Sequence, residues 1–401
     1  MAADRIYVAS GYGLKLYVNR GHLSSTTGSA ASGEPSASTA PPPGFARLVV
    51  LGHSGYVTFE TLRWLRDVGA AFVHIDRDGK LVACTAGYGR DDARLRRAQA
   101  LAATTGVGLE LVRDLIQQKL HGQAAVLTAL PDSDAATGAR SAIDQGLAEL
   151  THAGTMQELR LVEAQAAREY FTAWSQVPVC FARVDQERVP EHWHTFGGRV
   201  SPVTSTNRLA ANPANAILNY LFALIEAEAS LACHAVGLDP GIGLLHTDQK
   251  ARDSLALDLM EPIRPEAERY LLDLLDKNTF RARDFHEARI GNCRLQPPLT
   301  HRLAETMPAW RTLVAPIAET VARRLADAAR IDPSPTPLTQ ANRRQSRATS
   351  RRSKKRQLTV PDPRPRTCKI CGAEITTGGR VHCDDCLPGF RAEQQKKRCD
   401  D

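Results

Sequence analysis

The chain has 401 residues, 43% hydrophobic and 24% charged, enough for more than one packed core and ordinary for a soluble globular protein. A prokaryotic cytoplasmic protein is expected: no secretory start is evident, and no run reaches the roughly 20 apolar residues of a membrane span. The net charge of +7 is unevenly placed: residues 341–401 hold 16 Lys or Arg against 7 Asp or Glu, while the remainder balances 35 against 37, which excludes a uniformly basic body.

In chain order, residues 5–19 read as a β-hairpin, with apolar stretches at 7–10 and 14–18 around Gly11-Tyr12-Gly13. Residues 22–44 are rich in Ser, Thr, Ala, Gly and Pro and read as a disordered insertion unable to bury a core. Leu48-Val49-Val50-Leu51 predicts a strand, residues 58–68 a short helix, and 71–75 and 80–85 two further strands around the turn signal Asp78-Gly79.

From there the period becomes helical. Apolar residues recur at three- and four-residue steps over 95–103, 109–120, 142–150, 156–174, 214–236, 265–275 and 310–328. Residues 176–213 carry many Pro and Gly breakers and read as irregular. The predicted fold is α+β and multidomain. A small β-strand-rich N-terminal domain spans 1–90, and a larger all-α catalytic domain spans 91–330. A basic Pro- and Arg-rich linker over 331–366 leads to a zinc ribbon at 367–390 and a tail at 391–401.

The most informative stretch runs from Gly237 to Glu261. A long apolar helix ends in a Gly-rich turn, His246 follows a short apolar run, and Asp258 and Glu261 come next, three residues apart. On a helix that spacing puts both carboxylates on one face, where they could share a cation. Pro262 biases Glu261 away from helical geometry and leaves a break or kink expected there. A His after an apolar run is ordinarily a satisfied, partly buried side chain, and acids at helical spacing are ordinarily a solvated face. The apolar company of Leu255, Leu257, Leu259, Met260 and Ile263 makes these carboxylates costly without a cation. Glu163 sits at the margin of the stripe formed by Leu159, Val162, Ala166 and Tyr170, and spacing alone favours exposure.

Asn212-Pro213-Ala214-Asn215-Ala216, Leu218-Asn219-Tyr220, Gly237-Leu238-Asp239-Pro240, Gly243 with His246, and the run from Ser254 to Glu261 with Arg264-Pro265 resemble CRISPR-associated protein one, the CRISPR adaptation integrase family. Gly55, Val57-Thr58, Leu62, Trp64-Leu65, Asp76 and Gly79 extend the likeness to the N-terminal region, so that it covers residues 46–330. The resemblance implies a metal-dependent DNA endonuclease and integrase. Such an enzyme joins the 3′-OH ends of short duplex DNA to repeat boundaries by transesterification, as a homodimer working with a dimer of CRISPR-associated protein two. It implies Glu163, His246 and Glu261 as ligands of Mg²⁺ or Mn²⁺, with Asp258 completing the shell or orienting His246. Arg168, Lys250, Arg252 and Arg264 become phosphate-contact candidates, each equally readable as a salt-bridge partner. The chain departs from the family pattern at Asn212, where Asp often precedes Pro, in residues 22–44, and in its C-terminal extension. A casposase-like transposon integrase would use the same residues. A non-catalytic DNA-binding scaffold would have no need of them.

Nine cysteines are present, and Cys84, Cys180, Cys233 and Cys293 are scattered singly, as core residues usually are. Cys368-x-x-Cys371 and Cys383-x-x-Cys386, with Gly-containing turns between them, have the spacing of a four-thiolate structural Zn²⁺ site. The run from Arg351 to Arg356 precedes this module, so added DNA binding or a protein contact is expected of it.

Overall fold

Alternating apolar side chains draw the first 85 residues into two small sheets. The strands are β1 (Arg5–Ser10), β2 (Leu14–Asn19), β3 (His22–Thr26), β4 (Ala37–Thr39), β5 (Phe45–Leu51), β6 (Gly55–Val57), β7 (Ala71–Ile75) and β8 (Leu81–Thr85), with helix α1 (Phe59–Asp67) before β7. This is a computed structural model. It describes residues 5–27, 37–39 and 45–331, apart from 87, 88, 90, 202–204, 207 and 251, together with 366–367, 370–371 and 374–375. One sheet has the order β1-β5-β7-β8 and the other β4-β3-β2-β6. β1, β5 and β7 run parallel and β8 antiparallel.

Two expectations are corrected here. The hairpin across residues 5–19 does not form. Gly11 (φ 134) and Gly13 (φ 62) carry the chain out of one sheet into the other, so β1 pairs with β5 while β2 pairs with β3 and β6. Only glycine adopts such backbone freely, and the turn therefore redirects the chain. Residues 22–44 are also not a structureless insertion throughout. β3 occupies 22–26, with Leu23, Ser24 and Ser25 buried, and β4 pairs alongside it. The serine-rich composition hid a strand whose stability comes from its neighbours.

Leu14, Leu16, Leu23, Leu48, Leu65 and Phe72 form a small core with the outer sheet. Val49, Leu51, Val73 and Ile75, on the other face of the first sheet, belong to the main core shared with the helices. The split follows from the period of two: successive residues of β5 and β7 face opposite sides.

The helices follow as α2 (Ala93–Ala102), α3 (Gly106–Leu127), α4 (Asp134–Leu150), α5 (Met156–Ala173), α6 (Arg183–Gln186), α7 (Pro213–Val236), α8 (Ser254–Met260) and α9 (Arg264–Lys277). A short hairpin of β9 (Phe285–Glu287) and β10 (Cys293–Leu295) precedes α10 (Pro297–Ala304) and α11 (Met307–Ala328). Helix α10 lies outside the helical stretches that the periodicity predicts, and it opens on Pro297-Pro298. At the first turn of a helix, proline's fixed φ and missing N–H cost nothing.

Helix α7 is the central element. Asn212 caps it by accepting the Asn215 N–H, Pro213 sits at its first turn, and Gly237 (φ 89) closes it in the left-handed conformation. It is long and apolar enough to cross a membrane by length and composition alone, but it is buried by α8, α9, α11 and the sheet. A bidentate pair between Arg47 of β5 and buried Glu228 of α7, at 2.6 and 2.8 Å, ties sheet to helix.

Candidate active site

The His246 loop is built around one carboxylate. Asp258 of α8 is fully buried. Its Oδ2 accepts the backbone N–H groups of Leu244 at 2.6 Å and Leu245 at 3.0 Å. Its Oδ1 accepts the His246 N–H at 3.0 Å and faces His246 Nδ1 at 2.6 Å. An ionised carboxylate can only accept, so Nδ1 carries the proton, and in the neutral ring Nε2 presents its lone pair. Gly243 permits the tight wrap, because a Cβ there would lie 2.4 Å from the His246 carbonyl oxygen and 2.7 Å from Ser254 Cβ.

Two side chains unmarked in the sequence fasten this loop. Gln99 of α2 is buried and donates to the carbonyls of Asp239 and Ile242 at 2.7 and 2.8 Å. Arg160 of α5 donates to the Leu245 carbonyl at 2.5 Å, one helical turn before Glu163.

Pro262 does not push Glu261 out of helical geometry. Glu261 stays right-handed (φ −53, ψ −47), and a single 3₁₀ turn over Glu261–Ile263 joins α8 to α9. Asp258 and Glu261 therefore share a face, as the spacing predicts. The imidazole lies between them, with Nε2 at 3.9 Å from Glu261 Oε1.

Glu163 and Glu261 are brought together by a residue that the sequence reading missed. Lys119 of α3 is buried, contacts Glu163, and lies 2.6 Å from Glu261 Oε2. The ammonium thus ion-pairs with both carboxylates. Lys119 was visible in principle. It falls on the apolar stripe of Val112, Leu115 and Ile116, where an ammonium requires a buried counter-charge. Arg264 donates Nε to Glu261 Oε1 at 2.9 Å.

Burial alone would push the Glu261 carboxyl up, but Arg264 and Lys119 outweigh it and hold the group at about 2. Burial pulls Lys119 down, yet Glu261 and Glu163 more than offset this and keep it firmly charged. The four acid and imidazole side chains thus meet in one place, with two cations among them.

The basic candidates divide. Arg264 joins the cluster. Arg252 braces the loop by donating to the Thr247 carbonyl and to Ser254 Oγ. Arg168 is exposed and lines a groove against α4 with Gln145, Glu149 and Glu169, and Lys250 is exposed. Of the cysteine module, Cys371 is exposed, and Cys368, Cys383 and Cys386 lie outside the described residues.

The chain is 35% identical over 229 residues to "CRISPR-associated endonuclease Cas1 2" of Rhodospirillum rubrum, covering 54% of this chain and 62% of that protein. It is 27% identical over 259 residues to "CRISPR-associated endonuclease Cas1 1" of Archaeoglobus fulgidus, covering 61% of this chain and 71% of the relative. Among solved structures, a casposase bound to integration product superposes with a TM-score of 0.64 at 22% identity, covering 84% of this chain and 93% of that one. A CAS1 protein from Thermotoga maritima gives 0.61 at 17% identity, covering 80% and 96%. The profile of the family described as CRISPR associated protein Cas1 matches residues 8–308, a span that takes in both sheets and every residue of the Glu163–His246–Glu261 cluster, and the chain belongs to that family.

Proposed function

We propose that this chain is a metal-dependent DNA endonuclease and strand transferase, which joins the 3′-OH ends of short duplex DNA to CRISPR repeat boundaries. The observation that carries the reading is the His246 imidazole with a carboxylate facing each ring nitrogen, Asp258 and Glu261, with Glu163 joined to Glu261 through Lys119. Carboxylate oxygens with one imidazole and no thiolate suit Mg²⁺ or Mn²⁺. As the side chains stand, no three described His, Cys, Asp or Glu residues enclose an ion, and the Lys119 ammonium bridges Glu163 and Glu261 instead. The donor chemistry fits the ion, and Glu163, His246 and Glu261 are the residues to hold it. When bound, such an ion neutralises phosphate charge and lowers the pKa of a hydroxyl nucleophile.

The chain's own residues prepare the site. Asp258 fixes the imidazole tautomer, and Arg160 and Gln99 fix the loop that carries it. Arg264 stands beside Glu261, where it can offset phosphate charge. In the reaction, the incoming 3′-oxygen forms a bond to the scissile phosphorus. The repeat strand's own 3′-oxygen leaves, taking up a proton. No covalent intermediate with the protein is required.

The partners follow from the same reading: double-stranded DNA, a second copy of the chain, and a dimer of CRISPR-associated protein two. The fold likeness to a "Cas6-RT-Cas1--Cas2 complex", with a TM-score of 0.62, supports the protein-two partner. The four cysteines are proposed to hold a structural Zn²⁺, and a prokaryotic cytoplasm is the proposed location. A casposase-like transposon integrase is the second reading, favoured by the likeness to the casposase over 93% of its chain.

The test is strand transfer of labelled short duplex DNA into a supercoiled plasmid carrying a repeat, with Mn²⁺ or Mg²⁺. Joining by wild type that is lost in His246→Ala and Glu261→Ala supports the reading. Joining that survives both substitutions overturns it. Insertion at the repeat boundary separates the adaptation integrase from the transposon enzyme, and no joining by any form favours the scaffold.

A further inference from the structure

Arg199 lies in the loop between α6 and α7 and is half-buried. Its Nη1 donates to Asn215 Oδ1 at 3.0 Å and its Nη2 to Asn219 Oδ1 at 2.7 Å. Those amides cannot turn away. Asn215 Nδ2 donates to the carbonyls of Phe196 and Gly198, and Asn219 Nδ2 donates to that of Arg208. The guanidinium also lies 5.8 Å from the Phe171 ring and 5.7 Å from the Phe222 ring. Neutral groups therefore hold one cation in one orientation.

Among the described residues no carboxylate forms an ion pair with Arg199. Arg264 lies over the same Phe222 ring at 4.5 Å, so a second cation is a close neighbour. Burial and Arg264 together bring the Arg199 guanidinium down to about 10, an unusual direction for arginine. Glu268, the acid whose field opposes this, is itself buried and already accepts the Tyr170 hydroxyl at 2.8 Å. Bracing two asparagines needs no charge, and half-burying an uncompensated cation is costly. Of the five guanidinium N–H donors, two serve the asparagines and three remain.

We propose that Arg199, with Arg264 across the Phe222 ring, forms an anion site that takes a backbone phosphate of the DNA strand next to the bond being exchanged. This rests on the strand-transfer reading and adds a phosphate subsite to it. The asparagines set the plane of the fork, the two aromatic rings support it, and the missing counter-charge is supplied by the DNA.

The experiment measures binding of a forked duplex by the full chain, wild type and Arg199→Gln, by fluorescence anisotropy from about 50 to about 200 mM salt. One lost phosphate contact lowers the slope of log K against log salt by about 1. The binding deficit of the variant should then shrink by about 3.5-fold across that range. In a parallel series, single phosphates near the fork are replaced by neutral methylphosphonates. One position should weaken wild type more than it weakens Arg199→Gln, and Arg199→Lys should keep the wild-type slope. An unchanged slope in Arg199→Gln overturns the proposal and leaves the strand-transfer reading standing. Where that variant fails to fold, the methylphosphonate series on wild type decides: no single position that lowers the slope by about 1 also overturns it. Wild type that binds no DNA overturns both readings.

Discussion

The Asp258→Asn substitution isolates what one buried carboxylate does for the catalytic loop. Asp258 takes two backbone N–H groups on Oδ2 and two His246 groups on Oδ1. Asparagine has the same shape but only one oxygen. Its amide nitrogen must face one of those donor pairs, removing two hydrogen bonds to a charged acceptor. At about 1.5–3 kcal/mol each, the loss is at least about 3 kcal/mol. At about 2 °C per kcal/mol for a body of this size, Tm should fall by about 6 °C. The chemistry should change as well. If the amide turns toward the imidazole, Nδ1 must accept and the proton moves to Nε2, leaving no lone pair for an ion. Thermal melts in EDTA would measure the first effect, and Mn²⁺ titration calorimetry the second. A variant that melts within about 1 °C of wild type and binds Mn²⁺ equally well would refute the reasoning.

Other expectations follow from the same network. Lys119→Met leaves Glu261 and Glu163 without their shared cation, so the metal-free protein should lose about 3–5 kcal/mol. Mn²⁺ should restore more of its Tm than it adds to wild type, and equal melting of the two metal-free proteins would count against the bridge. Burial raises the Glu268 carboxyl from its ordinary 4.5 to about 7. A folded value above the unfolded one makes ionisation destabilising. The penalty is absent below about pH 4.5 and complete above about pH 7, at about 3 kcal/mol. Glu268→Gln should therefore match wild type near pH 4.5 and melt higher near pH 8, as a pair of melting curves would show. Cys383→Ser should lose about one equivalent of zinc by elemental analysis, with the Tm of the helical body unchanged.

Much of the helical body was legible because its signal is local. The apolar steps at 156–174 and 214–236 foretell α5 (Met156–Ala173) and α7 (Pro213–Val236) closely. The Asp258–Glu261 spacing foretells a shared face, and the resemblance supplies His246 and Glu163. What was not legible depends on distant partners. β3 is stabilised by pairing with β2 and β4 rather than by its own serines. The Lys119–Glu163 contact links α3 to α5, and Arg160 meets the Leu245 carbonyl 85 positions away. A period count cannot see such contacts. A lysine on an apolar stripe announces that a counter-charge exists without naming it.

The division of the two sheets between two cores has a consequence for how the molecule comes apart. The face of β5 and β7 that carries Val49, Leu51, Val73 and Ile75 is a retaining wall of the helical body, bolted to α7 through Arg47 and Glu228. A cut at residue 90 would not release an autonomous helical enzyme. It would strip that wall, expose α7, and take Arg47 away from Glu228. The natural seam runs inside the N-terminal region, between the sheet that belongs to the helices and the one that rides on its back.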